Sequence, residues 1–266
     1  MKDKTFIYIH EIIKNRTAFF CLIDPDKLEI SQSGEVAQLY AENGADAILI
    51  GGSMMMNNRF EDAILEIKKH VNIPLIIFPG IFNFVCTHAD ALLMLNMLSS
   101  RNPQVLINEQ VRSAPLVYHS KLEVIPTAYL LIESGSLSSV QYMSHSFPIP
   151  RKKNDIAIAH SLAAQYMGQK LIYLEAGSGA ELQVPCEMIK AVKNHIEIPL
   201  IVGGGIREPE IAYNKAKAGA DIIVIGTALE NLDKPSIVKD FAEAIHRCSN
   251  HSEDNINMNK ISYTTS

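Results

Sequence analysis

The chain has no tryptophan, and phenylalanine and tyrosine together make up only 7% of its 266 residues. Its four cysteines, Cys21, Cys86, Cys186 and Cys248, are far apart and share no CxxC spacing. That excludes a disulfide framework and a cysteine zinc site, and fits a reducing compartment. Positive charge is not in excess: 24 basic against 29 acidic side chains leave a net −5, so the broad basic face of a nucleic-acid-binding protein is missing. A long unbroken apolar run is missing too. The most apolar stretch, Pro74 to Leu98, is interrupted by Pro79, Gly80, Asn83, His88, Asp90 and Asn96, whereas a bilayer span needs ~20 nearly continuous apolar residues. Met1 to Arg16 is amphipathic and of mixed charge, without the apolar stretch and small-residue cleavage site of a secretory leader. These absences point to a soluble cytoplasmic protein. With 47% hydrophobic and 20% charged residues, the chain has ample material for a core, which excludes disorder, collagen and coiled coil.

That apolar content falls into eight short runs: Ala18–Ile23, Asp46–Ile50, Pro74–Phe78, Ala91–Leu95, Glu123–Ile132, Lys170–Leu174, Pro199–Val202 and Asp221–Ile225. Each is apolar at both alternating positions, as in parallel strands covered on both faces. Helical patterns lie between them. Val36, Leu39 and Tyr40 form a stripe after Ser33 that closes at Gly44; Pro209 opens a helix ending at Gly219. A third helix starts at Asn154, with Ile156, Ala159, Ala163 and Tyr166 on one face. Units also repeat. Asn43–Gly52 and Ala218–Thr227 share Gly-Ala-Asp, four apolar residues and a glycine, and Ile73–Ile77 resembles Ile198–Val202. Eight such βα units predict a single (β/α)8 TIM barrel over residues 1–248, with a polar, disordered tail over 249–266. A doubly wound sheet is the runner-up, but no strand followed by GxGxxG opens the chain. Between the third and fourth runs there is too little chain for an ordinary crossover helix. The third helix is therefore expected to be short or replaced, leaving a groove on the barrel's side.

Function in a barrel sits in the loops after the strands. Gly203-Gly204-Gly205 and Gly226-Thr227 follow runs seven and eight, where backbone N–H groups commonly hold phosphate; tight turns alone are the plainer alternative. Asp24 and Asp26, with Lys27, follow run one, and Asp24 is placed to hold a hard cation such as Mg²⁺ unless this is a solvated Asp-Pro turn. Ser53 follows Gly51-Gly52, as a second oxygen ligand, a phosphate contact or a helix N-cap. Tyr173 and Glu175 share a strand face at the end of run six, as catalytic groups or as a structural pair; Gly177-Ser178-Gly179 beyond them offer another amide cradle. Arg151-Lys152-Lys153 is either a diphosphate clamp or a solvated charge run, and Met54-Met55-Met56 either groove lining or core filling.

Taken in order, Leu22-Ile23-Asp24-Pro25-Asp26-Lys27, Gly51-Gly52-Ser53, Phe78-Pro79-Gly80, Tyr173 through Ala180 and Val202 through Ile206 resemble the geranylgeranylglyceryl phosphate synthases and the related heptaprenylglyceryl phosphate synthases. The resemblance spans about residues 18 to 228. It implies a homo-oligomeric, Mg²⁺-dependent prenyltransferase of lipid biosynthesis. The C3 hydroxyl of sn-glycerol 1-phosphate attacks C1 of a polyprenyl diphosphate, here expected to be geranylgeranyl, and diphosphate leaves. Carried over by motif, Asp24 and Ser53 are the metal positions. Tyr173, Leu174, Glu175, Ala176, Gly177, Ser178, Gly179, Gly204, Gly205, Gly226 and Thr227 form the glycerol-phosphate site, with Glu175 and Tyr173 catalytic. Where some members carry a lysine two residues before the metal aspartate, this chain has Leu22, so a cation elsewhere has to meet the phosphate. The expected side groove, lined by Phe78, Phe82 and Phe84, would take the prenyl chain. Two other readings stay open at this point: a phosphosugar isomerase or cyclase that pairs Asp24 with Glu133, and a phosphate-binding protein without catalysis.

Overall fold

All eight apolar runs become parallel strands of one closed barrel, β1 to β8 in sequence order. The computed structural model of the chain describes residues 3–52, 58–80, 85–230 and 236–248. The strands are β1 (Ala18–Ile23), β2 (Ala47–Ile50), β3 (Leu75–Ile77), β4 (Ala91–Asn96), β5 (Glu123–Leu131), β6 (Leu171–Glu175), β7 (Leu200–Gly203) and β8 (Ile222–Ile225). Alternation splits their side chains between two cores. Phe20, Leu49, Ile76, Leu93, Tyr173 and Ile201 fill the barrel interior. Phe19, Cys21, Ile48, Leu75, Leu174 and Val202 point outward under the helices. Both faces are dry, which is why the runs are apolar at every position.

The helices are α1 (Lys4–Ile13), α2 (Ile30–Glu42), α3 (Phe60–His70), α4 (Glu109–Ser120), α5 (Ser139–Ser144), α6 (Asn154–Tyr166), α7 (Cys186–Lys193), α8 (Pro209–Lys217) and α9 (Ser236–His246). α1 closes the bottom of the barrel: Ile9 and Ile13 join the interior core, and Glu123 accepts the Thr5 and Phe6 N–H groups at 2.6 and 2.7 Å. A carboxylate there satisfies two orphan donors of the first turn. The repeated Gly-Ala-Asp also has a structural purpose. Asp46 and Asp221, each just before a strand, accept the N–H of Phe19 and Leu200 on the preceding strand at 2.8 and 2.7 Å; Asp90 does the same for Leu75 at 2.8 Å. Each also meets a cation: Arg16, Lys193 and Lys68 respectively.

β3 passes to β4 with no helix among the described residues 78–80 and 85–90, as the short connection requires. After β4 a π-helical turn, Gln104–Asn108, leads into α4. α6 starts at Asn154 as predicted, but it faces the other way. It buries Ala157, Ser161 and Ala164, while Ala159 and Ala163 are exposed and Tyr166 is 78% exposed. The sheet accepts the row of smallest side chains, and Ser161 satisfies its hydroxyl on Ala157 O at 2.8 Å. Residues 249–266, read above as a tail, lie outside the described residues. Among the described residues no helix is long and apolar enough to cross a membrane.

Candidate active site

At the strand C-termini the loops after β6, β7 and β8 converge on one cleft, lined among others by Ser178, Gly179, Gly204, Gly205, Gly226 and Thr227. Among the described residues the backbone N–H groups of these six have no acceptor. Amides left over on one concave wall are what a phosphate binds. The glycines of the β7 turn are required by space as well as by conformation. A Cβ at Gly203 would lie 2.4 Å from the Tyr173 hydroxyl, and one at Gly204, where φ is +86°, would lie 2.3 Å from Glu175 Oε1. Any side chain there would push out the two residues that the turn is folded around.

Glu175 is the last residue of β6 and only 6% exposed. Oε1 accepts the Gly177 N–H at 2.7 Å, and the Tyr173 hydroxyl donates to the carboxylate. Burial pushes the Glu175 carboxyl above the usual range, while these two hydrogen bonds pull it back. Burial and the adjacent Glu175 charge hold the Tyr173 phenol well above its ordinary value, so it stays a neutral donor. The Tyr173 ring stands 5.7 Å from that of Phe78 and 5.6 Å from that of Tyr129. Leu174 and Ala176, the other members of this stretch, turn their side chains into the outer core, and the Ala176 N–H is already bonded to Gly203 O at 3.2 Å.

Asp24 follows β1 and is half-buried at the rim, packed on Gly52: a Cβ there would lie within 3.1–3.2 Å of the carboxylate. Its Oδ1 accepts the Asp26 N–H at 3.1 Å. Burial raises its carboxyl above the usual range. Lys27 leaves it for Glu230 at 2.6 Å. Among the described residues no group of three acid, histidine or cysteine side chains could hold a metal. One carboxylate with an oxygen to spare still fits Mg²⁺, which takes most of its ligands from substrate phosphate and water. Ser53, the other expected metal position, and Met54 to Met56 lie outside the described residues. Leu22 reaches into the cleft beside Gly226.

From Tyr173 the cleft runs on over Phe78, Pro79, Gly80, Leu95, Met97 and Val105, an apolar arm between the β3–β4 side and the π-helical turn. The cleft is open to solvent along this arm. Phe82 and Phe84 lie outside the described residues. Arg151 does not line this cleft. It donates to Glu133 O at 2.9 Å and Gln183 O at 3.1 Å, holding loops together. Glu133 is exposed on a separate hollow with Ser134 and Pro150, so it does not face Asp24 across the mouth. The cation at the cradle is Arg207, which lines the cleft and donates to Gly179 O at 3.1 Å. Its signal in the sequence was its place as the first basic residue after the triple glycine, which the motif analysis above did not single out.

Residues 10–245 match the PcrB family. The chain is 41% identical over 239 residues to the geranylgeranylglyceryl phosphate synthase of Chitinophaga pinensis, covering 90% of this chain and 94% of that one. It is 43% identical over 245 residues to that of Thermococcus kodakarensis, with 92% and 96% covered. The solved structure of (S)-3-O-geranylgeranylglyceryl phosphate synthase from Thermoplasma acidophilum, in complex with its substrate sn-glycerol-1-phosphate, is similar at a TM-score of 0.87 and 34% identity, covering 93% of this chain and 99% of that one.

Proposed function

The chain belongs to the PcrB family, and from that premise we propose that it is a prenyltransferase joining the C3 hydroxyl of sn-glycerol 1-phosphate to geranylgeranyl diphosphate with the help of Mg²⁺. One observation carries this reading. Along a single cleft, free amides at Gly204 and Thr227 lead to Glu175, Glu175 to Tyr173, and Tyr173 to Phe78 and the apolar arm. A phosphate at one end, an apolar chain at the other and a buried base at the junction match the two substrates of an ether-lipid precursor.

The residues divide the work. The amides of Ser178, Gly179, Gly204, Gly205, Gly226 and Thr227 and the Arg207 guanidinium hold the glycerol phosphate. Glu175 takes the hydroxyl proton as the oxygen attacks C1; the C1–O bond to diphosphate breaks and its electron pair leaves with the diphosphate. A carboxyl raised by burial makes a stronger base than an ordinary glutamate once ionised. Tyr173 and the Gly177 N–H keep that base aimed, and its charge favours the cationic character that builds at C1. Phe78, Leu95, Met97 and Val105 take the prenyl chain and keep water from C1. Asp24 would hold Mg²⁺ together with the donor diphosphate, where the ion supplies Lewis-acid stabilisation of the leaving group.

The test is incubation with labelled sn-glycerol 1-phosphate, a panel of polyprenyl diphosphates and Mg²⁺, with mass spectrometry of the lipid product and a parallel reaction in EDTA. The expected product is geranylgeranylglyceryl phosphate, with its yield lost in EDTA. No ether product from any chain length would overturn the assignment, and full turnover in EDTA would remove the metal from it.

A further inference from the structure

One pair of side chains outside the cleft takes no part in this chemistry. Cys186 is the first residue of α7, and Lys215 lies on α8; neither lines the cleft. Lys215 is only 7% exposed and sits on the buried face of its helix with Ala212 and Ala216. Among the described residues no carboxylate pairs with its ammonium; Nζ donates to Cys186 Sγ at 3.4 Å. The thiol makes one other contact, a long one to Asn214 O at 3.8 Å.

A buried ammonium is costly unless a negative partner meets it, and the sulfur is the group in place to be that partner. Two features of the fold meet at this sulfur: the start of α7 and the Lys215 ammonium. Cysteines beside a lysine or at a helix start are the nucleophilic ones. Cys21 and Cys86 are buried, and burial pushes both thiols up; Cys248, partly exposed like Cys186, is also held up by burial.

We propose that Cys186 is a modification site, a nucleophilic thiol activated by Lys215 that reacts with peroxides and soft electrophiles. With hydrogen peroxide, Sγ attacks one peroxide oxygen. The S–O bond forms and the O–O bond breaks, and sulfur is oxidised by two electrons to a sulfenic acid. The other oxygen leaves as hydroxide and becomes water with the proton given up by the thiol. Lys215 Nζ stands where it can donate to that departing hydroxide.

Competitive labelling of the full native chain tests this. Limiting iodoacetamide, or hydrogen peroxide followed by dimedone, is read peptide by peptide by mass spectrometry. Cys186 is expected to label at least ~10-fold faster than Cys248 with both reagents. In Lys215→Met the Cys186 rate should fall about 10-fold while Cys248 stays unchanged. Equal rates at the two cysteines in the native chain would overturn the proposal, as would a Cys186 rate indifferent to Lys215→Met. The native-chain comparison decides the matter even if that variant does not fold, and neither readout depends on prenyl transfer.

Discussion

The two ends of the barrel treat buried carboxylates in opposite ways. At the bottom, Asp46 is 6% exposed, and at the mouth Glu175 is 6% exposed as well. Burial pushes both upward. At Asp46 the effect is more than offset by hydrogen bonds from His246, Arg16 and the Phe19 N–H, and the carboxyl ends below its usual range. At Glu175 no cation among the described residues pairs with the carboxylate; the Tyr173 hydroxyl and one N–H leave it above the usual range. Asp24, half-buried at the mouth, is also raised, with Lys27 engaged by Glu230. Similar exposure thus leaves one acid below its usual range and the other above it, according to the partners each meets.

The largest expected effect is at the bottom. Asp46→Asn leaves Arg16 without its charge partner and should cost ~3–5 kcal/mol in urea unfolding, with the rate per folded molecule retained. A loss under about 1 kcal/mol would erase the contrast. The pH dependence has a defined sign. Because the folded carboxyl lies below its unfolded value, its contribution is complete above about pH 4 and is lost as pH falls through the lower folded value. Acid should therefore destabilise the native chain more than it does Asp46→Asn.

Glu175→Gln should reverse that pattern, with a rate loss of at least ~10²-fold and no loss of stability. The folded Glu175 carboxyl lies above its unfolded value, so stability falls as pH rises from about 4.3 through the folded value. The glutamine escapes that penalty and should match or exceed the native urea midpoint at neutral pH. Single-turnover rates of the native enzyme should climb with pH over the same interval. Asp24→Asn should come next, with Mg²⁺-supported turnover down roughly 10-fold while calorimetry finds glycerol 1-phosphate binding little changed. Arg207 is exposed, so Arg207→Met should weaken glycerol 1-phosphate by only about 2- to 5-fold.

Much of this contrast was legible before folding. Gly-Ala-Asp recurs because Asp46 and Asp221 do the same work at two strand starts. Tyr173 and Glu175 share a face because strand side chains alternate. Other parts were hidden. The outward face of α6 could not be read because Ala157, Ala159, Ala163 and Ala164 lie all round the helix, and small residues give no periodic contrast. Arg151 and Arg207 are the same residue type beside loops. Only folding shows that the first is spent on Glu133 O and Gln183 O and the second faces the cradle.

By itself the sequence determined the barrel, the short β3–β4 connection and the glycine turns, because these follow from local pattern and chain length. The tertiary structure alone decided which acids are paired, which arginine lines the cleft and that a buried lysine reaches Cys186. Each of those depends on what stands a few ångströms away in space, and at that range neighbouring charge and the exclusion of water govern how an ionisable side chain behaves.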